Sequence, residues 1–338
     1  MWKKLRKNWF WLALGLCGLA GTAWAPHFQP LTVVDVKWNV ALALLINGLT
    51  LNLAHLRTSL QRPERIGIAV VCGYSFVPLF AYPVAQLLSR SSGDLSIGLL
   101  VISAMPTTLA STSILTRLAG GNDTLSLLVT LASNAVGFLA VPAVFAATLG
   151  RALPFQSADL MERLLLIVLA PLAAGIVLQQ SRRVARSVAS MGMFLAVLVR
   201  LLILSVVLVG IVKGAIEMGR EAHPPRATDL LWLAGAVCLV HSLALVACWS
   251  TGVALGWSRR DRIALSLSGS QKTLPAALYV CIAFFPNHPL AAISCVIYHI
   301  FQLLIDSSLA EKASSHSTTP TDLGSSAKGR DTHRTITG

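Results

Sequence analysis

Ten apolar segments follow one another along the chain, and each is about long enough to cross a lipid bilayer. A membrane-spanning helix needs about 20 mainly apolar residues, and only helices and closed barrels satisfy their backbone hydrogen bonds within lipid. The pattern therefore predicts an all-α polytopic membrane protein with ten transmembrane helices. The segments cover approximately residues 9–25, 33–54, 66–89, 95–118, 123–148, 160–181, 187–212, 229–256, 262–285 and 289–310.

The charged residues support this prediction through their number and their position. They make up 12% of the chain, whereas soluble domains contain about 25%. The net charge of +13 lies mostly between the apolar segments, which favours anionic lipid headgroups over nucleic acid as its partner. With a cytoplasmic N-terminus, the inner connections carry 14 Lys and Arg residues and the outer loops carry 6. This bias predicts that both termini lie in the cytoplasm, and we expect the protein to be integral to a bacterial inner membrane.

The ninth segment contains polar residues that a lipid-facing helix would not tolerate. Gln271 and Lys272 lie inside it, between Gly269 and Pro275. A charge at membrane depth costs a few kcal/mol and normally faces a polar interior, while proline removes a backbone donor. A helix broken here would expose backbone groups that can hold an ion or a polar solute. The alternative is a kinked helix whose lysine reaches the membrane surface.

The fourth segment has the same character, because Pro106 is followed by a dense run of hydroxyl side chains. These are Thr107, Thr108, Ser111, Thr112, Ser113 and Thr116. The fourth and ninth segments occupy matching positions if the ten segments divide into two halves of five. The match predicts two inverted repeats, residues 1–150 and 151–310, and a disordered cytoplasmic tail over residues 311–338.

Four short motifs, in order along the chain, resemble those of the bile acid:sodium symporter superfamily, and specifically its sodium/bile acid cotransporter 7-like branch. They are Asn47-Gly-Leu-Thr-Leu51, the run from Pro106 to Asn122, Ser270-Gln-Lys-Thr-Leu-Pro275, and Tyr298-His299 with Gln302 and Leu303. The resemblance implies a core domain, a panel domain, and broken helices four and nine that cross near the bilayer midplane. It also implies alternating-access transport of organic anions, coupled to two sodium ions.

The resemblance bears on the first apolar segment as well. The basic stretch Met1–Lys7 and the sequence Ala23-Trp-Ala25 could belong to a cleaved signal peptide. The family fold needs a first transmembrane helix here, so we interpret residues 9–25 as that helix.

The family's first sodium site corresponds to side chains of the fourth and fifth segments. The resemblance assigns Ser111 and Thr112 to it, with Ser126 and Thr130 as further Na⁺ ligands and Asn122 as their anchor. All of them offer hard oxygen atoms, which small hard cations prefer.

The second sodium site departs from the family pattern. Leu267 stands at the position of the family's acidic residue, and Gly73 lies near the position of a glutamine in the family's third helix. Of the family's ligands at this site, only Gln271 is present. Lys272 stands beside it, and like charges in a low dielectric repel strongly. We therefore hypothesise that the Lys272 ammonium replaces the second cation. In a variant of this hypothesis Lys272 gains and loses a proton, so that H⁺ is the coupling ion; no other cofactor is expected.

Other polar residues lie within the predicted spans. Arg200 could face a central cavity and pair with an anionic substrate, or it could form an internal ion pair. His241 and His299 suit hydrogen bonds between helices better than proton relays, Asp306 could pair with a Lys or Arg near the end of its span, and Asn134 could join the core site or bridge helices. The complete set predicted to bind substrate or ion is Ser111, Thr112, Ser113, Asn122, Ser126, Thr130, Arg200, Ser268, Gln271, Lys272, Thr273 and His299.

Three classes of function compete for this sequence. A secondary transporter of small organic anions fits the two interrupted segments best. An intramembrane enzyme is disfavoured, because no HExxH motif is present and Asp35 and Asp306 both lie near span ends. A non-transporting membrane regulator on the same fold is the alternative, since the family's acidic residue is missing. The sequence does not identify the substrate or the oligomeric state.

Overall fold

A computed structural model describes residues 23–51, 62–150, 156–219 and 226–315, together with Ala13, Leu16, Cys17, Ala20 and Gly21. These residues are helical or form turns and short connections, and they contain no β-strand. The all-α prediction is therefore confirmed for the described chain. The predicted tail beyond residue 315, and most of the first predicted span, lie outside the described residues.

Fourteen α-helices are described. They are α1 (Ala25–Phe28), α2 (Val36–Thr50), α3 (Pro63–Leu88), α4 (Gly93–Ala104), α5 (Leu109–Leu118), α6 (Asp123–Thr148), α7 (Ser157–Leu164), α8 (Ala170–Gln179), α9 (Arg182–Ser190), α10 (Gly192–Met218), α11 (Ala227–Ala254), α12 (Arg259–Ser270), α13 (Leu274–Phe284) and α14 (Ala291–Ser315). A 3₁₀ turn, Gln29–Val33, follows α1, and a π-helical turn, Leu165–Leu169, joins α7 to α8.

Within the described residues, six helical stretches are long and apolar enough to cross a membrane. They are Pro63–Leu88, Asp123–Thr148, Ser157–Gln179, Gly192–Ile216, Ala227–Ala254 and Ala291–Ser314. They coincide with the predicted segments three, five, six, seven, eight and ten. The other described segments form shorter helices. Segment two is the 15-residue helix α2, and segments four and nine are each divided by an interruption.

Segment four is interrupted between α4 and α5, at residues 105–108. Pro106 lacks an N–H and disfavours the helical conformation of the residue before it. Met105 is accordingly extended, with φ −69° and ψ 157°. The proline therefore ends α4 where the sequence predicted a break.

Segment nine is interrupted between α12 and α13, at residues 271–273. The cause differs from the one predicted, because Pro275 lies in the first turn of α13, where a missing N–H has no helical partner to lose. Gly269 stays helical and allows close packing instead, since a Cβ there would lie 2.5 Å from Cys248 Sγ. The proline thus marks the start of the second half-helix, and the break precedes it.

The two interrupted segments run antiparallel, because each end of one contacts the opposite end of the other. After α5, Asn122 N donates to Arg260 O at 2.9 Å, near the start of α12. At the start of α4, Asp94 contacts His288 Nδ1 at 2.7 Å and accepts from Leu290 N at 3.2 Å, just beyond α13. The two breaks therefore meet near the middle of the pair.

The other helices pack around this pair in two groups. α2 packs mainly against α8 and α10, whereas α3, α6, α11 and α14 pack against the interrupted segments. Glycines allow the closest approach in the first group, since a Cβ on Gly48 would lie 2.4 Å from Leu172 O, and one on Gly175 would lie 2.2 Å from Leu45 O. Small residues are typical of such contacts in membrane proteins.

Candidate functional site

The two breaks are joined by a backbone hydrogen bond and by the side chain of Lys272. Thr273 N donates to Pro106 O at 2.9 Å. The Lys272 Nζ atom donates to Met105 O at 3.0 Å and to Gly73 O at 2.7 Å, and it lies 5.1 Å from the centre of the Tyr74 ring. The residue is 1% exposed. Lys272 therefore lies within the crossing, and the alternative that its amine reaches the membrane surface is wrong.

Each break has its free backbone groups satisfied by polar side chains of the following long helix. At Lys272, Gln302 Oε1 accepts from the backbone N–H at 2.9 Å and Gln302 Nε2 donates to the carbonyl at 2.8 Å. At Thr107, Ser133 Oγ accepts from the N–H at 3.1 Å and Asn134 Nδ2 donates to the carbonyl at 2.9 Å. Since buried backbone groups need partners, these side chains make the interrupted conformation possible.

A chain of buried hydrogen bonds leads from the crossing to Asp306. Gln271 Nε2 donates to Asp306 Oδ2 at 2.6 Å, and His241 Nε2 lies 2.9 Å from Asp306 Oδ1. All three side chains are fully buried. The expected pairing of Asp306 with a Lys or Arg at the span end is wrong, and the interhelical hydrogen bond predicted for His241 is confirmed. Although Leu267 replaces the family's acidic residue, Asp306 supplies a carboxylate next to Gln271.

The sequence contained a signal for Asp306 that the prediction missed. Tyr298, Gln302 and Asp306 are spaced by four residues, which places them on one face of a helix, and none of them is exposed in α14. A face that carries three polar residues at membrane depth indicates a buried polar contact.

The four predicted sodium ligands lie in two neighbouring groups. Ser111 and Thr112 donate to Gln271 Oε1, at 3.1 and 2.7 Å. Ser126 Oγ accepts from Thr116 Oγ1 at 3.1 Å and from Ser268 Oγ at 3.2 Å. Thr130 Oγ1 donates to Ser126 O at 2.9 Å. The structure thus brings the predicted Ser268 beside Ser126 and adds Thr116, which lies one helical turn after Thr112.

Three other predicted residues have structural contacts of their own. Asn122 caps α6, since its Oδ1 accepts from Leu125 N at 3.0 Å, and its Nδ2 donates to Asp261 Oδ1 at 2.8 Å. His299 Nδ1 lies 2.8 Å from Gln302 Nε2, next to the break. Arg200 lies on α10 with an exposed side chain, so the structure does not place it among the buried residues of the crossing.

Two cavities lie at opposite ends of the interrupted segments. The Arg117 cavity, of about 280 Å³, lies between the end of α2, α5 and the start of α6, and includes Ser113 in its wall. The Lys213 cavity, of about 330 Å³, lies between α10, the end of α13 and the residues that lead into α14. The helices around the first cavity belong to predicted segments two, four and five, and those around the second to segments seven, nine and ten.

Crossed, interrupted helices with polar groups at the crossing are typical of secondary transporters. The chain belongs to the SBF-like CPA transporter family, whose sequence profile matches residues 8–315. The predicted membership of the bile acid:sodium symporter superfamily is thereby confirmed, and the chain is an integral membrane protein. The narrower branch stays a prediction.

Curated relatives agree with this membership. The probable sodium/metabolite cotransporter BASS4, chloroplastic, of Arabidopsis thaliana is 29% identical over 288 residues, which cover 78% of this chain and 63% of the relative. BASS1 of the same plant is 31% identical over 176 residues, covering 50% and 41%. The uncharacterized protein YbaS of Bacillus subtilis (strain 168) is 24% identical over 273 residues, covering 80% and 85%. The chain therefore spans less than two thirds of each of these plant relatives.

Proposed function

We propose that this protein is a secondary active transporter that moves small organic anions across the membrane by alternating access. The observation that carries the proposal is the crossing of two interrupted helices with the fully buried Lys272 between them. Interrupted helices present backbone groups and side chains to a solute near the middle of the membrane. The residues proposed to contact the solute or the coupling ion are those of this crossing, with Gln271, Lys272 and Thr273 at its centre.

The proposal includes a ten-helix architecture of two inverted five-helix repeats, with a core and a panel domain. Three observations support it: the antiparallel course of the interrupted segments, the satisfaction of each break from the next long helix, and the two cavities between matching sets of segments. The bias of Lys and Arg supports cytoplasmic termini in a bacterial inner membrane.

The proposed coupling ion is a single sodium ion at the hydroxyl groups near Ser126, with the Lys272 ammonium in place of a second cation. Ser111, Thr112, Ser126 and Thr130 offer the hard oxygen atoms that such an ion prefers. The names of the plant relatives, sodium/metabolite cotransporters, favour sodium as well. A proton carried by Lys272 is the competing proposal, because its amine lies at the crossing, bonded to the carbonyl oxygens of Gly73 and Met105.

Counterflow in proteoliposomes tests the function. Purified protein is reconstituted, loaded with each member of a panel of organic acids, and assayed for exchange of the labelled acid. Exchange above that of empty liposomes supports a transporter. Binding of an organic acid without any exchange would contradict the proposed transport function. It would favour a membrane regulator, the alternative that the replacement of the family's acidic residue by Leu267 suggests.

Uptake measured with sodium, without sodium, and with an imposed pH gradient then separates the coupling ions. We expect uptake to rise hyperbolically with sodium concentration, as one bound ion requires. A sigmoidal rise would indicate two sodium ions and would contradict the role given to Lys272. Uptake in sodium-free buffer that follows the pH gradient would support proton coupling instead.

A further inference from the structure

Asp306 is a fully buried carboxylate on α14 that contacts side chains of two other helical segments. Gln271 Nε2, at the break in segment nine, donates to Asp306 Oδ2 at 2.6 Å. His241 Nε2, on α11, lies 2.9 Å from Asp306 Oδ1. Burying a carboxylate is unfavourable unless it is paired or hydrogen-bonded, and an acidic side chain at membrane depth generally indicates a function.

The contact with Asp306 fixes the orientation of the Gln271 side-chain amide. An amide NH₂ group only donates, whereas an ionised carboxylate only accepts, so Nε2 is the amide atom that faces Asp306. The amide oxygen, Oε1, then faces α5, where it accepts from Ser111 Oγ at 3.1 Å and from Thr112 Oγ1 at 2.7 Å. Without an acceptor at position 306, the amide could turn over and present its N–H groups to these hydroxyls.

Three oxygen atoms therefore converge between the ninth-segment break and α5. They are Gln271 Oε1, Ser111 Oγ and Thr112 Oγ1, and amide and hydroxyl oxygens are ligands that small hard cations prefer. Thr112 Oγ1 also lies 2.7 Å from Thr108 O. Since a hydroxyl group has one hydrogen, Thr112 can donate it to Thr108 O and turn its lone pairs toward a cation.

Asp306 also places a negative charge beside these oxygen atoms. Leu267 is uncharged at the position of the family's acidic residue, whereas the Asp306 carboxylate lies one amide group away from Gln271 Oε1. Among the residues that the structure describes, Asp306 forms no ion pair with Lys272, whose ammonium is bonded to two carbonyl oxygens instead. The carboxylate is therefore not neutralised by direct contact with the nearby lysine, and it attracts a cation.

His241 leaves this negative charge in place. Its Nδ1 atom is buried and has no hydrogen-bond partner within the described chain, and a buried N–H without an acceptor is unfavourable. The ring is therefore best accommodated in its neutral form, with the proton on Nε2, where it donates to Asp306 Oδ1. Two N–H donors then stabilise the ionised carboxylate.

We propose that Asp306 is the positioning residue of the sodium site. It orients the Gln271 amide so that Oε1 faces Ser111 and Thr112, and it supplies the charge that is missing at Leu267, although it does not contact the ion itself. The inference rests on the proposed sodium coupling and deepens it, because it adds Gln271 Oε1 to the ligands and assigns the compensating charge to α14 instead of α12.

Sodium binding by the purified protein tests this role without requiring transport. The midpoint of thermal unfolding in detergent is followed while choline chloride is replaced by sodium chloride at constant ionic strength. We expect a saturable rise for the wild type, because a ligand that binds only the folded state stabilises it. The concentration dependence reports the sodium affinity, and the midpoint in choline alone reports the stability of the fold. A wild-type protein that sodium stabilises no more than choline would overturn the inference.

Substitution of Asp306 tests the residue itself. Asp306→Asn removes the charge and can either accept or donate, so that the Gln271 amide can adopt both orientations. We expect a sodium affinity about tenfold weaker than that of the wild type, as is typical when a group that orients a metal ligand is lost. Glu311→Gln, which removes an exposed charge from the same helix, is the matched control and should bind sodium like the wild type. Wild-type affinity in Asp306→Asn would overturn the proposed role.

Exchange of the two side chains separates positioning from folding. In the double variant Gln271→Glu with Asp306→Asn, the new amide can donate to the new carboxylate and accept from His241 Nε2. The carboxylate then lies directly against the two hydroxyls of α5. We expect the double variant to bind sodium at least tenfold more tightly than Asp306→Asn alone. Equally weak binding by a double variant that unfolds at the wild-type temperature in choline would contradict the inference.

The same measurements separate this inference from the proposed function. If sodium binds in an Asp306-dependent way but no acid undergoes counterflow, the role of Asp306 stands and the proposed transport function fails. If an acid undergoes counterflow but sodium does not bind, the transport function stands and the inference fails.

Discussion

The two helix breaks meet at the same point, yet they contribute opposite chemistry. The break after α4 offers mainly carbonyl oxygens, since Met105 O and Pro106 O both accept hydrogen bonds across the crossing, while Thr107 Oγ1 donates to Ser268 O at 2.7 Å. The break after α12 offers donors, namely the Lys272 ammonium and Thr273 N. Each break alone would leave buried polar groups without partners, at a cost of about 1–3 kcal/mol per group. Together they satisfy these groups, so each interrupted helix stabilises the other.

The supports of the two breaks differ as well. Gln302 alone satisfies both the N–H and the carbonyl of Lys272, whereas Ser133 and Asn134 divide the same task at Thr107. The break that carries the charge therefore depends on a single side chain. We therefore expect the ninth segment to be more sensitive than the fourth to the loss of a supporting side chain. The variants below test this difference.

The largest effect is expected for Lys272→Met. The methionine keeps the length of the side chain but removes the donor to Met105 O, at a cost of about 1–3 kcal/mol, and the second hydrogen bond to Gly73 O, a carbonyl inside α3. We expect proteoliposomes to lose counterflow while the protein remains monodisperse. Arg259→Ala, an exposed cation at the start of α12, is the control and should exchange normally. Near-normal exchange by Lys272→Met would contradict this account, because the donor would then be dispensable.

A smaller but still large effect is expected for Asp306→Ala. The substitution leaves Gln271 Nε2 and His241 Nε2 without their acceptor in a buried site, at a cost of about 1–3 kcal/mol for each group. We expect a clearly lower midpoint of thermal unfolding. The double variant Asp306→Ala with His241→Ala should lose less stability than the sum of the single variants, since the two residues share a contact. Glu311→Ala, exposed on the same helix, should have no effect, and strict additivity would contradict the proposed contact.

The smallest effect is the difference between Gln302→Leu and Asn134→Leu. Gln302→Leu leaves a buried N–H and a carbonyl of Lys272 unpaired. Asn134→Leu removes the side-chain donor to the carbonyl of Thr107, whereas the carbonyl of Thr130 lies inside α6 and keeps its helical partner. Orphaned N–H groups are the rarer case in buried protein. We expect Gln302→Leu to be more destabilising by about 1 kcal/mol, measured by thermal unfolding in one detergent. Equal losses would show that the two breaks are equally robust.

Much of the site follows from local sequence. Pro106 lacks an N–H and disfavours the helical conformation of the residue before it, although Pro78 and Pro83 remain inside α3. Lys272 lies at membrane depth, where a charged side chain normally faces a polar interior. Both residues lie where the sequence placed them. Asn122 also carried a local signal, since an asparagine before Asp123 is a typical helix cap, but the family resemblance suggested an ion anchor instead.

The rest depends on contacts that lie far apart in sequence. The break in segment nine lies before Pro275, because Thr273 N is satisfied by Pro106 O of the other segment. Asp306 accepts a hydrogen bond from Gln271, which is 35 residues away in sequence. The position of Asp306 near the predicted span end does not indicate this partner. The exposed side chain of Arg200 follows from the rotation of α10 against its neighbours, which hydropathy does not fix.

Cross-linking across the crossing tests the central claim most directly. In a variant whose six native cysteines are replaced by alanine, Pro106→Cys and Thr273→Cys are introduced together. The backbone hydrogen bond between these residues brings their Cα atoms within the range of about 4.4–6.8 Å that a disulfide requires. We expect a disulfide to form on mild oxidation, and none in the control that pairs Pro106→Cys with Arg259→Cys. Failure of the first pair to cross-link, or equal cross-linking of both pairs, would contradict a junction of the two breaks.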